Sequence, residues 1–513
     1  MFIQILMLVL FFGVMIGVGI YCRRTAKDVN GFVLGGRSVG PWLTAFAYGT
    51  SYFSAVIFVG YAGQFGYKYG VAATWIGLGN AFIGSMLAWR ILGRRTRIMT
   101  QHLNSATMPE FFGERFKSKP LKIAASFIVF VFMIPYTASL YNGLSRLFGM
   151  AFDIDYTVCI IIMAILTAVY VIVGGYMATA VNDFIQGIIM LFGIVTIILA
   201  VLNTKGGFMA ALDGMANVQD ASTTTPGVFA SFFGPDPLNL LGVVILTSLG
   251  TWGLPQMVQK FYAIKSEKAI TKGTIISTLF AIVVAGGCYF LGGFGRLFSD
   301  KIDVVDGKIV YDSIVPSMLS DLSPVLIGLT VILVLSASMS TLSSLVMTSS
   351  STLTIDVIKG NVVKKMDEKK QVLCIRALIV VFIAISVIIA IVQYKSTVTF
   401  IAQLMGVSWG AMAGAFLAPF LYGLYWKRTN KYGCMASFIF GAGFMLFNMF
   451  WKESLPEILQ SPINAGAFVM IAGLIIVPVV SLLTKKPDEK IVEEVFSCYD
   501  KKVEVEVTQS LEK

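Results

Sequence analysis

Apolar runs of about twenty residues follow one another along almost the whole of this 513-residue chain, each long enough for a helix to cross about 30 Å of hydrocarbon. About thirteen can be marked, near 2–21, 43–65, 72–92, 122–146, 156–178, 183–203, 240–261, 271–296, 323–357, 373–394, 398–425, 432–451 and 463–484. With 57% apolar and 13% charged residues the chain lacks the polar surface of a soluble domain. Lipid offers the backbone no hydrogen bonds, so runs of this length must be helical. The expected fold is all-α and membrane-embedded.

The net charge of +11 raises the question of nucleic acid, but Lys and Arg fall in particular connections rather than on one face, which is a signature of topology. Arg23, Arg24, Lys27 and Arg37 follow the first run, and Arg94, Arg95, Arg97, Arg115, Lys117 and Lys119 follow the third. Lys260, Lys265, Lys268 and Lys272, then Lys359, Lys364, Lys365, Lys369 and Lys370, then Lys427 and Arg428 mark later alternate loops. These belong to the cytoplasm. The long connections 204–239 and 297–322 are poor in Lys and Arg, carry Asp213, Asp220, Asp236, Asp300, Asp303, Asp306 and Asp312, and face out. The first run has no basic n-region and reads as an uncleaved span with its N-terminus outside. An odd number of crossings then leaves the tail 485–513 in the cytoplasm of a bacterial-type plasma membrane. That tail is too short for a catalytic domain, and its "KKVEVEVTQS" reads as strand or disorder. Six scattered cysteines and one histidine, His102, argue against a disulfide framework, a zinc site and Ser-His catalysis.

Polar side chains at mid-membrane depth carry the chemistry, because each costs several kcal/mol in hydrocarbon unless satisfied. The ninth run contains "LSASMSTLSS", Leu335 to Ser344, with six hydroxyls in ten residues. On a helix Ala337, Ser340, Thr341 and Ser344 form one stripe with Ser343 beside it. Uncharged oxygens in that pattern suit a weakly held monovalent cation, while small hydroxyl residues equally serve close helix packing. The second run, "AYGTSYFSAVIFVGYAG", invites a helix break near Thr50 to Ser54, whose freed carbonyls and helix ends could hold a cation and a polar solute. A flexible continuous helix is the competing reading. In "GGYMATAVNDFIQG", Asp183 either starts the sixth helix or supplies a buried negative charge for a second cation.

Together these stretches resemble the sodium/solute symporter family, which includes bacterial proline, pantothenate and sialic acid symporters and animal sodium-glucose and monocarboxylate cotransporters. The resemblance runs from about Phe32 to Arg428 through "VLGGRSVGPWLTAFA", "TMPEFFGERF", "GGYMATAVNDFIQG", "GTWGLPQMVQKFYAIKSEKA", "SASMSTLSSLVMTSSSTLTIDV" and "GVSWGAMAGAFLAPFLYGLYWKRTNKYG". It implies two inverted five-helix repeats, 43–203 and 240–425, resembling the bacterial leucine transporter fold, with 1–21 and 432–484 peripheral. It implies a main sodium site at Thr50, Phe53, Ala337, Ser340 and Thr341, and a second at Asp183, Ser340, Ser343 and Ser344. It implies solute contacts at Tyr52, Ser54, Trp75, Tyr136, Trp252, Gln256 and Gln403. Proline carriers have an aspartate where this chain has Tyr52, and sugar carriers have a Glu-Gln pair where it has Val56 and Ile57. "SYFSAVIFVG" is closer to the monocarboxylate and vitamin carriers.

The expected activity is sodium-coupled symport of a small organic solute by alternating access, with sodium as coupling ion and no organic cofactor. The solute is a monocarboxylate or vitamin, an amino acid or a sugar derivative. Proton coupling on the same fold is the nearest alternative. A membrane enzyme lacks a His/Asp/Glu cluster with catalytic spacing, and a channel would show currents far above a rocking cycle.

Overall fold

The computed structural model describes residues 2–22, 28–152, 155–219, 223, 225–363, 366–394 and 401–500. Arg23, Arg24, Lys27, Asp220, Lys364, Lys365, the 398–400 start of the eleventh run and the tail 501–513 lie outside the described residues.

The principal helices are α1 (Phe2–Cys22), α2 (Pro41–Tyr52), α3 (Ala62–Tyr69), α4 (Lys119–Phe152), α5 (Tyr156–Asn203), α6 (Pro237–Gly253), α7 (Pro255–Ala263), α8 (Glu267–Ala281), α9 (Pro324–Thr352), α10 (Glu368–Tyr394), α11 (Ile401–Tyr425), α12 (Lys431–Trp451), α13 (Pro462–Leu483) and α14 (Glu489–Phe496). The outside is apolar, with Phe192, Ile388 and Leu483 exposed, and hydroxyls are turned inward. That inversion of a soluble protein is what lipid demands.

Ten helices among the described residues are long and apolar enough to cross a membrane, or eleven if the pair α6 and α7 is one bent span. The expected thirteen differ from this at identifiable breaks. Phe53 is extended (φ −84°, ψ 129°), so the second run is split into α2 and a further stretch through Val56–Tyr61 into α3. α5 joins the fifth and sixth runs, and the turn between them is at Gly175 (φ 60°, ψ −160°), a conformation open almost exclusively to glycine. The sixth run therefore begins at Tyr176 rather than Asp183: Asp183 stands about two turns inside its helix, 1% exposed. α6 and α7 bend by 45° at Leu254, where Pro255 lacks the N–H that would continue the helix. This corrects the placement of Lys260: it lies in α7, 3% exposed, and not in a basic loop.

α9 is the axis of the bundle. It packs on α5, α4, α1, α10 and α2, and every side chain from Thr330 to Thr352 is buried. α3 and the helix Gly287–Gly292 approach closely enough that a Cβ on Gly66 would run into the carbonyl of Gly292. At the end of the molecule carrying the basic connections, α14 and the turn after it dock: the Tyr499 hydroxyl donates to Leu424 O at 2.7 Å, and Arg95 lies 4.0 Å and 4.4 Å from the Tyr425 and Tyr499 ring centres.

Candidate functional site

Breaking a helix inside the membrane frees carbonyls that need new partners. Here α9 supplies them. Ser340 Oγ lies 3.0 Å from Thr50 O and 2.9 Å from Ala337 O. Thr341 Oγ1 lies 3.3 Å from Thr50 O, 3.4 Å from Ser51 O, 3.2 Å from Phe53 O and 3.1 Å from Ala337 O. Beyond the break, Ala55 N donates to Ser338 Oγ at 3.0 Å. The stripe on the ninth run therefore stitches both halves of the broken helix.

The arithmetic of this cluster is informative. Two hydroxyls own two protons, yet they make six close oxygen approaches, two from Ser340 and four from Thr341. Protons cannot satisfy all six at once. Oxygens held about 2.3–2.6 Å from a sodium- or calcium-sized ion stand roughly 3.3–3.7 Å apart at right angles, a spacing that Thr341 Oγ1 reaches to Thr50 O and Ser51 O, while the four approaches at 2.9–3.2 Å have ordinary hydrogen-bond length. With no carboxylate among the closely spaced oxygens, a monovalent ion fits better than a divalent one. Thr50, Phe53, Ala337, Ser340 and Thr341 thus converge, joined by the carbonyl of Ser51, which the resemblance did not include.

The residues expected at the second cation site are only partly brought together. Ser344 Oγ meets Ser51 Oγ at 2.9 Å and accepts from Lys260 Nζ at 3.0 Å. The same Nζ stands 3.9 Å from Asp183 Oδ2 and 5.2 Å from the centre of the Tyr176 ring. Neither carboxylate oxygen of Asp183 has a hydrogen-bond partner. Ser343 Oγ instead bonds back to Ser340 O at 2.9 Å.

Of the residues expected to touch solute, Tyr52, Ser54 and Tyr136 are buried, the first two flanking the break at Phe53. Tyr52 and Tyr136 pack on Trp409 with ring centres 5.8 Å and 5.9 Å apart, and Asn80 Nδ2 donates to the Tyr52 hydroxyl. Ser54 Oγ, Tyr136 Oη and Trp409 Nε1 are buried without a hydrogen bond of normal geometry, with the Ser54 hydroxyl and the Trp409 indole both close to the Tyr136 hydroxyl. Both polar atoms of Gln256 are likewise unpartnered, on α7 just past the bend. Trp75 and Trp252 have their indole N–H groups spent elsewhere, on Phe232 O at 2.9 Å and Ile83 O at 3.0 Å. Gln403 is exposed on the wall of a vestibule of about 1420 Å³, with Lys68, Asp236, Arg296, Val407 and Asn464. A cavity of about 10 Å³ beside Tyr52, Asn80 and Thr251 holds at most one water.

Trp409, Ser338 and Lys260 were missed as site residues. A tryptophan within the small-residue run "SWGAMAGA" was the available signal for Trp409, since nothing in lipid-facing packing calls for an indole there. For Lys260 the signal was its distance of five residues from Pro255, too near the bend to be in a loop.

The model of the sodium:solute symporter family matches residues 32–441. The chain is 28% identical over 488 residues to the osmoregulated proline transporter OpuE of Bacillus subtilis, covering 94% of this chain and 95% of that protein. It is 30% identical over 498 residues to the sodium/proline symporter of Staphylococcus aureus, covering 94% of this chain and 93% of that protein. Its fold is similar to a Na+-coupled sialic acid symporter solved in a substrate-bound outward-open state, with a TM-score of 0.72 at 17% identity over 95% of this chain and 99% of the other. The fold is thus an all-α membrane architecture of the leucine transporter type. With the broken helix, the oxygen cluster against it and the family match over most of its length, the chain belongs to the sodium:solute symporter family and is a multi-pass membrane transporter that moves a small organic solute with sodium as coupling ion.

Proposed function

We propose that sodium binds between α2 and α9, at the carbonyls of Thr50, Ser51, Phe53 and Ala337 and the hydroxyls of Ser340 and Thr341, and that the solute binds beside it against Tyr52, Ser54, Tyr136 and Trp409. The observation that carries this is the surplus of oxygen approaches over protons in the Ser340–Thr341 cluster. The vestibule faces outside, the basic connections and the tail face the cytoplasm, and 43–203 and 240–425 act as the two inverted repeats, with 1–21 and 432–484 peripheral.

In this cycle sodium replaces the missing protons of the cluster and holds the two halves of the broken helix against α9. That favours the outward-open state, in which solute enters from the vestibule. Solute then closes the outer gate, and the repeats rock to open the inner side. An inward-moving charge gains about 2.3 kcal/mol per 100 mV before any concentration term. Coupling follows because the cluster exists in one state and is pulled apart in the other.

The solute is a small carboxylate or amino acid, held by its carboxylate end. Tyr136 Oη, Ser54 Oγ and Trp409 Nε1 lack a hydrogen bond of normal geometry and are able to donate, and donors are what a carboxylate needs. The names of the proline-carrying relatives support the amino acid branch, and Tyr52 in place of an aspartate supports a different fit at the amine end. Thermal-shift screening of proline, other amino acids, monocarboxylates, vitamins and sugars, each in sodium and in potassium, tests this. A carboxylate-bearing hit in sodium that is lost in potassium, followed by sodium- and voltage-dependent uptake into proteoliposomes, is the expected result. Uptake indifferent to sodium and voltage would refute the site.

A further inference from the structure

In the pocket where the resemblance places a second sodium ion, the chain holds a charge of its own. Lys260 and Asp183 are 3% and 1% exposed. The ammonium lies 3.0 Å from Ser344 Oγ, 3.9 Å from Asp183 Oδ2 and over the face of Tyr176. Four segments meet there: α7 brings the lysine, the part of α5 after Gly175 brings Asp183 and Tyr176, α9 brings Ser344, and α2 brings Ser51. The lysine reaches the pocket because the bend at Leu254 redirects α7, whose residues are all buried from Pro255 to Ala263.

Resting on the reading of the main site above, we propose that the Lys260 ammonium is the resident cation of this second site, so that each solute crosses with one sodium ion rather than two. A buried carboxylate whose oxygens lack hydrogen-bond donors is costly unless a positive charge or a proton compensates it, and here the Lys260 ammonium stands 3.9 Å away. Lys260 supplies one unit of charge and three donors, as much charge as the ion it replaces. A sodium ion added about 4 Å from that ammonium would bind about a thousandfold more weakly, taking an effective dielectric constant of about 20. The disagreement between these residues and a second sodium is therefore electrostatic.

The tether has a functional consequence. A free ion in this pocket would be released to one side and taken from the other, adding its gradient to the work done on the solute. An ammonium on α7 stays with the protein and adds none. It still does the structural part of the task, because Ser344 and Ser51 connect it to the turn whose Ser51 carbonyl faces Thr341 at 3.4 Å. Removing the ammonium leaves Asp183, Ser344 and Ser51 as a carboxylate and two hydroxyls around the vacated volume, a donor set suited to sodium.

Equilibrium binding of radioactive sodium to the purified full chain, with the sodium-to-solute flux ratio in proteoliposomes, tests this. The wild type is expected to bind one ion per chain and to move one per solute, and Lys260→Arg to do the same. Lys260→Ala is expected to bind two, with sodium dependence of uptake steepening toward a Hill coefficient of 2, and Lys260→Ala combined with Asp183→Asn to return to one. Two ions per wild-type chain, or one ion in a transporting Lys260→Ala variant, would overturn the proposal. If Lys260→Ala does not fold, the wild-type count alone decides. Failure of the main site reads differently: sodium binding by the wild type would then be indifferent to Thr341→Ala.

Discussion

Thr341→Ala removes one hydroxyl and leaves every main-chain oxygen of the cluster in place. In the ion-bound state the loss is one oxygen ligand to a charge, about 1.5–3 kcal/mol. In the ion-free state it is one ordinary hydrogen bond, about 0.5–1.5 kcal/mol, because a single proton serves one of the four carbonyls lying 3.1–3.4 Å away at any time. The difference, about 1–1.5 kcal/mol, is a rise of about 5–13-fold in the sodium concentration for half-maximal uptake. Thr341→Ser keeps the oxygen and stays within about twofold of wild type, the methyl group making no contribution to the ion. Initial rates of solute uptake into proteoliposomes, measured against external sodium at fixed voltage and saturating solute, give the number directly. If Thr341→Ala unfolds at a lower temperature but keeps the wild-type sodium dependence, the hydroxyl stripe is packing and the cation site is elsewhere.

The remaining expectations are smaller in scope. Tyr136→Phe deletes a hydroxyl without a hydrogen bond of normal geometry and leaves thermal stability unchanged or raised, whereas Trp409→Phe also leaves a cavity at a fully buried ring and lowers it; each raises the solute KM by about tenfold, the worth of a hydrogen bond to a charged group. Equal KM values for wild type and both variants would remove these groups from the solute site. Gly175→Ala forces an alanine into φ 60°, ψ −160°, costs about 1–3 kcal/mol, and is expected to lower the unfolding midpoint in detergent; an unchanged midpoint would mean that the turn relaxes. Tyr499→Ala loses a hydrogen bond to Leu424 O and a ring stacked against Arg95, about 1–2.5 kcal/mol together, with α14 becoming protease-sensitive while the sodium dependence of uptake stays as in wild type.

How much was legible before any coordinates is clearest at three places. The broken second run was legible because Gly49, Thr50, Ser51 and Ser54 put small and hydroxyl residues where lipid tolerates none without a use, and the observed break is at Phe53. The stripe on α9 was legible because helical period alone puts Ser340 and Thr341 on one face with Ala337. The solute site was much less so: Trp75 and Trp252 look like Trp409 in sequence, and what separates them is where the indole N–H goes, into Phe232 O, into Ile83 O, or into no hydrogen bond of normal geometry.

The chain by itself determined that this is a helical membrane protein with hydroxyl-rich stretches inside it, because hydrophobic length and 3.6-residue periodicity are local properties that bilayer thickness converts directly into structure. Tertiary structure alone decided which of those polar groups meet. Gly175 and Leu254 each turn the chain by an amount that no periodicity encodes. Those two turns carry Asp183 away from the membrane edge and Lys260 out of an apparent loop, so that two charges 77 positions apart become a buried pair. Whether a carboxylate waits for a sodium ion or already has a partner is a matter of a few ångströms between helices, and such distances are set by packing.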